Sequence, residues 1–187
     1  FTPEGKPLIY FGNMKNANRK PEPELVEFYL RGQGKTKESL LSGFAIEHTQ
    51  QREFTMEGKG DQLPMSLPVL VDGKPTGEFY HAVINCSGRR THPKALEEFA
   101  ARTGNYVIDI PLSDDPKTGA YHGNVAIFYF QQKDGTRGVT YVPDMLEEGK
   151  RDFTYNMFST FFGADNVHTI TSKDQALHKE CLEKITM

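Results

Sequence analysis

A chain of 187 residues, 37% hydrophobic and 25% charged, is long enough to bury a sizeable core as one domain and too apolar for wholesale disorder. Its 22 basic and 25 acidic residues, a net charge of -3, are mixed along the chain, which disfavours duplex nucleic acid or an anionic membrane as a partner. No apolar run reaches the roughly 18 residues that span a bilayer, and the N-terminus lacks the basic-then-apolar pattern of a signal peptide.

Taken in chain order, "PLIYFG" reads as a short strand, followed by a polar loop. "PEPELVEFYLRG" places Leu25, Val26, Tyr29 and Leu30 at helical spacing, with prolines near the start and Gly32 past the end. "TKESLLSGFAIEHTQQREF" repeats that pattern through Leu40, Leu41, Phe44 and Ile46, so a second helix is expected, and residues 54 to 66 read as a loop. From Leu67 the period shortens: "LPVLV", the turn "DGKPTG" and "EFYHAVIN" suggest a hairpin. "PKALEEFAART" reads as a helix with Pro93 in its first turn and Gly104 at its end, and "NYVIDIPL" as a strand. "NVAIFYFQQ" and "RGVTYVP" flank "KDGT", the clearest hairpin. "FTYNMFSTFF" then reads as a helix, "VHTITS" as a strand, and a last helix starts at Asp174.

The expected architecture is α+β: a central, mostly antiparallel sheet holding residues 79 to 86, 105 to 111, 124 to 131 and 137 to 143, with helices at both ends of the chain. We read residues 1 to 187 as a single globular domain, with a helical N-terminal part over 1 to 66 and a sheet-containing core over 67 to 187. No repeat is visible in the sequence. Beginning at Phe1 instead of Met, the chain fits a soluble protein, either cytoplasmic or secreted through a leader that this chain lacks. Cys86 and Cys181 do not make a disulfide framework in a domain this size, which favours a reducing or compartment-neutral setting.

Cys86 is the residue that invites a chemical reading, because it lies between an apolar run and the two arginines of "NCSGRRT", ahead of a helix whose N-terminus favours a thiolate. A catalytic thiol needs a base, and the base needs a group to orient it. His122, before the strand "NVAIFYFQQ", and Asp144, after the strand that pairs with it, are the candidates. With a two-residue turn at Asp134 and Gly135, Val125 lies opposite Asp144; with a three-residue loop, Ala126 does, and His122 then shares its face.

The order Cys86, His122 on one strand and Asp144 on the next resembles the papain-like cysteine hydrolases, including bacterial effector proteases and deamidases. That resemblance implies a thiol protease or deamidase acting on a protein substrate through a Cys86-His122-Asp144 triad. As an alternative, "NCSGRRT" is similar to the loop of cysteine phosphatases, although Arg89 and Arg90 follow Cys86 too closely; Asp61 in "FTMEGKGDQLP" occupies the place of the general acid in that comparison. Gly88, Arg89 and Arg90 are in either case candidates to bind a phosphate or carboxylate of the substrate. A third alternative is a non-enzymatic module that binds a protein partner, with Cys86 buried and inert. The six histidines are scattered without HExxH or CxxC spacing, and GxSxG, GxGxxG and a complete Walker loop are absent, so neither a metal nor a cofactor is expected.

Overall fold

In the computed structural model, which describes residues 2, 5–31, 43–50, 53–171 and 174, one topology recurs along the chain. The first unit joins β1 (Leu8–Phe11) through α1 (Glu22–Leu30) to β2 (Ala45–His48), and the two strands pair in parallel. The second unit is a hairpin of β3 (Gln62–Val71) and β4 (Lys74–Asn85), then α2 (Pro93–Thr103), then β5 (Tyr106–Asp109) parallel to β4. In the third, the short helix α3 (Gly123–Ala126) leads into β6 (Ile127–Gln131) and β7 (Arg137–Tyr141), followed by α4 (Arg151–Phe162) and β8 (Val167–Thr169) parallel to β7.

The units also share their closing bonds. The residue after the last strand donates its amide to the final carbonyl of that strand's parallel partner: Thr49 to Phe11 at 3.0 Å, Ile110 to Asn85 at 2.7 Å and Ile170 to Tyr141 at 2.8 Å. The two hairpins are closed alike, by Cys86 N to Asp61 O and Val142 N to Ala126 O, each 2.9 Å. Gly12, Cys86 and Val142 therefore stand at one equivalent position, immediately after the strand end. A repeat of topology and backbone bonds needs no repeat of side chains, which is why the sequence does not display it.

Local chemistry accounts for the second unit's boundaries. Asp72 and Gly73 both have positive φ, 49° and 74°, the conformation that a tight two-residue hairpin turn demands. Pro64 and Pro68 lie in β3, at the edge of the sheet order β3-β4-β5, where a missing N–H breaks no ladder. The N-cap of α2 is His92, whose ring accepts from Lys94 N at 3.2 Å; Pro93 follows it, and Gly104 ends the helix at φ 64°. Ala95, Leu96 and Phe99 point inward from this helix.

The main core joins the second and third units: Met65, Leu67, Ala82 and Ile84 pack with Ile127, Val139, Tyr141, Phe158 and Val167. A smaller cluster of Met56, Val83, Ala95 and Phe99, with Tyr10 and Phe54 against it, attaches the first unit to α2.

The α+β class expected from the sequence is the one observed. Among the described residues the strands form three small mixed sheets, and the strands expected in one central sheet are divided between the second and third. Ala45–His48 is a strand paired with β1 where a second helix was expected; residues 32–42 lie outside the described residues. The expected strand at 124 to 131 starts at Ile127, after the turn of α3. The expected last helix, from Asp174, lies almost wholly outside the described residues. No helix among the described residues is long and apolar enough to cross a membrane.

Candidate functional site

The segment that enters β3 carries two buried carboxylates. Glu57 and Asp61 flank a single 3-10 turn, Gly58–Gly60, and are 6% and 0% exposed. Charges this deep persist only if they are paired or hydrogen-bonded, and both are. Thr91, itself fully buried, donates its hydroxyl to Asp61 Oδ2 at 2.5 Å and accepts from Glu57 N at 3.1 Å. One side chain thereby fixes both ends of the acidic segment.

The other oxygen of Asp61 receives His122. Nδ1 of His122 lies 2.9 Å from Asp61 Oδ1, which also accepts from Gly123 N at 3.1 Å. An ionised carboxylate only accepts, so Nδ1 carries the proton and Nε2 is the nitrogen left for other chemistry. Nε2 faces Glu57 Oε2 at 3.7 Å, which places the imidazole between two buried acids. Gly60 makes room for it, since a Cβ there would stand 2.8 Å from Nδ1.

Two guanidiniums and a backbone amide surround Glu57. The main-chain amide of Lys15 donates to Oε1 at 2.9 Å, Arg90 Nη1 lies 3.3 Å from Oε1, and Arg19 Nη1 lies 3.3 Å from Oε2. A cavity of about 540 Å³ lies on the Arg19 side, bounded by Tyr10, Met14, Val26, Met56 and Glu57. A second, of about 380 Å³, is bounded by Lys15, Asn16, Arg89, Arg90 and Tyr121. In that second bowl Arg89 donates to Asp114 O at 2.6 Å, the Lys15 ammonium donates to Arg89 O, and the Arg90 guanidinium lies 5.8 Å from the centre of the Tyr121 ring. The hydrogen-bond partners of Lys15 Nζ and Arg89 Nη2 are thus neutral carbonyls, and the bowl is electropositive.

The residues singled out from sequence are distributed unequally. His122, Arg89 and Arg90 belong to this site. Cys86 lies beneath it: a Cβ on Gly123 would come within 2.6 Å of its Sγ, and it is a free, buried thiol at 1% exposure. Burial, and then the charges of Asp61 and Asp109, push that thiol far above the ordinary cysteine range. Asp144 is half exposed and pairs with Arg151 at 3.6 Å. The β6–β7 ladder ends at Ile127 opposite Tyr141, and residues 132–136 form the loop, so neither counted register is realised. Gly88, at φ 149°, packs on Leu112, and its amide donates to Thr91 O at 2.9 Å. Glu57, Lys15, Arg19 and Tyr121 were not found from sequence; nothing in "TMEGKG" distinguishes a buried glutamate from a loop one. Asp61 was noticed only through the phosphatase comparison. Among the described residues no group of His, Cys, Asp and Glu is arranged to hold a metal ion.

No protein-family model matches the sequence, and no curated protein matches it. Solved structures do match in fold. The N-terminal domain of ArgZ, an arginine dihydrolase from the ornithine-ammonia cycle in cyanobacteria, superposes as a cysteine-to-serine variant bound to substrate with a TM-score of 0.59 at 13% identity, covering 90% of this chain and 50% of that one. Apo ArgZ gives 0.60 at 12% identity, covering 89% and 22%. AgrE with ornithine and NAD+ gives 0.60 at 13%, covering 89% and 20%. The chain spans half the length of the ArgZ domain, and identity this low shows a shared fold.

These neighbours correct the functional expectation. A cysteine hydrolase acting on a protein substrate through Cys86, His122 and Asp144 is replaced, because the fold is that of arginine dihydrolase domains. Both cysteine chemistries expected from sequence, protease-like and phosphatase-like, also need a thiolate, which the burial of Cys86 opposes.

Proposed function

We propose that this chain contributes the acid-base and binding groups of an enzyme that modifies a small cationic amino acid of the arginine class. The observation that carries the reading is His122 held between Asp61 and Glu57, with Nδ1 on Asp61 and Nε2 towards Glu57. Asp61, and not Asp144, orients the imidazole, and Nε2 accepts a proton from a substrate nitrogen or returns one to it. Glu57 faces the cationic end of the ligand, as a planar guanidinium pairs well with a carboxylate. The carboxylate end lies in the bowl of Lys15, Arg89, Arg90 and Tyr121. A shared fold with domains described as arginine dihydrolases supports the substrate class. The Cys86 thiol is structural in this account.

Calorimetric titration with L-arginine, with norleucine, whose side chain carries no charge, as the control, tests it. Arginine binds and norleucine does not; Glu57→Gln weakens arginine roughly ten- to hundred-fold, the range for losing a hydrogen bond between charged groups. Arg89→Ala together with Arg90→Ala weakens arginine by a similar factor and leaves agmatine, which lacks the carboxylate, less affected. Equal binding of norleucine, or arginine binding indifferent to Glu57→Gln, overturns the reading and returns the chain to a non-catalytic binding role.

A further inference from the structure

Helix α1 is mounted with a charged residue inward. Glu27, whose side chain is 17% exposed, meets His48 Nε2 of β2 at 2.5 Å, and Pro23 is buried. The large apolar side chains of the same helix point the other way: Leu25, Phe28 and Tyr29 are 62%, 62% and 70% exposed, and Val26 is half exposed. A surface helix ordinarily turns its apolar stripe to the core. A contiguous apolar face left in water marks an interaction surface.

The charges along this face select the partner. At about 100° per residue, Leu25, Phe28 and Tyr29 form one stripe, and Glu24 and Arg31, both exposed and seven residues apart, share one border of it. Residues that share a border face each other when two copies of a helix pack antiparallel, whereas in parallel packing each border meets the opposite one. A two-fold axis near Phe28 therefore sets Glu24 of each copy against Arg31 of the other, and encloses Leu25, Phe28 and Tyr29 of both copies between the two ion pairs. Arg31 also donates from Nε to Glu27 Oε1 of its own helix at 2.6 Å, which holds its guanidinium at the helix surface.

We propose that the exposed face of α1 is the contact through which two copies of this chain pair, antiparallel about a two-fold axis, with Glu24 of each copy on Arg31 of the other. One helix face is smaller than the roughly 800 Å² that each partner of a stable complex contributes, so the pair is weak, with a Kd on the order of 100 µM. Its consequence lies in the first unit, which attaches through the smaller cluster and supplies Lys15 and Arg19 to the candidate site. A second copy on α1 steadies that unit. The pairing is independent of the arginine-class reading, and either can fail without the other.

Sedimentation equilibrium of the full chain, over concentrations spanning that constant, tests the contact. The wild type passes from monomer to dimer, and Phe28→Ser, at a side chain already in water, stays monomeric. Glu24→Arg and Arg31→Glu each turn two attractions into two repulsions and weaken the dimer roughly ten-fold. Mixed in equal amounts, these two variants pair with each other at the wild-type strength, because each carries a single sign along the border and the two signs are opposite. Circular dichroism unchanged from the wild type is expected for all three variants, since every substituted side chain is exposed. The wild type and Phe28→Ser decide the contact even if a charge variant loses its helix. A wild type that stays monomeric throughout, a dimer indifferent to Phe28→Ser, or a mixture of folded charge variants that associates no better than its components overturns the proposal.

Discussion

At the scale of single residues, Cys86 and Gly123 show how the site excludes a thiol nucleophile and still depends on that position. Cys86 is the residue at which the second hairpin closes on Asp61, and its side chain fills the space beneath α3. Because burial holds the thiol protonated, iodoacetamide should label Cys86 slowly at neutral pH in the native protein and rapidly once denaturant exposes it. Fast native labelling would restore a reactive thiol. Gly123→Ala should destabilise by about 1–3 kcal/mol, read as a shift in the urea midpoint, since its Cβ would stand 2.6 Å from Cys86 Sγ and 2.7 Å from its Cβ. Tyr10 adds a pH dependence. Burial, helped by Glu98 and opposed by a hydrogen bond with Thr49, raises its hydroxyl to about 12. The stability this lends is complete below the unfolded tyrosine value of about 10 and is lost as pH rises through about 12. Tyr10→Phe should remove that component from an alkaline unfolding series, and an unchanged series would contradict the assignment.

At the scale of elements, the sequence was most legible where local chemistry and tertiary packing agree. Helix α2 follows from Pro93, Gly104 and its apolar stripe, and α4 from the aromatic run; both occur where the pattern puts them. The turn at Asp72 and Gly73 was recognisable as a hairpin for the same reason. Asp72→Val should cost about 1–2 kcal/mol, because a β-branched residue resists φ 49°, while Asp72→Asn should be nearly neutral; equal effects in thermal unfolding would contradict the turn assignment. Where tertiary context decided, the pattern misled. "AIEH" carries helical spacing, yet its backbone groups are taken by β1. "GNVA" looks like the start of a strand, but Gly123 is drawn onto Asp61 and the chain turns once before β6 begins. Glu57, and the role of Asp61 towards His122, were illegible for a related reason. Glu57 and His122 are far apart in sequence and are brought together by packing alone, so spacing could not join them, whereas His122, Arg89 and Arg90 stood out as polar residues beside strand and helix ends.

At the scale of the whole molecule, the recurrent units are unequally bound to one another. The second and third share the main core through Ile84, Ile127, Tyr141 and Phe158, whereas β1 and β2 are mostly half-buried and attach through the smaller cluster. Native-state hydrogen exchange should therefore find the β4 and β7 amides opening together at the global free energy, with β1 and β2 opening earlier. Uniform protection across the units would contradict this division. It also places the candidate site on the seam, since Lys15 and Arg19 come from the first unit, Glu57, Asp61, Arg90 and Thr91 from the second and its approach, and His122 from the approach to the third. A ligand that bridges those groups should slow the opening of β1 and β2. The most direct test of the account is a crystal structure grown with saturating L-arginine. The account predicts a guanidinium within hydrogen-bond distance of the Glu57 carboxylate, with its carboxylate among Lys15, Arg89 and Arg90. Arginine bound elsewhere, with Glu57 held only by Arg19 and Arg90, would contradict it.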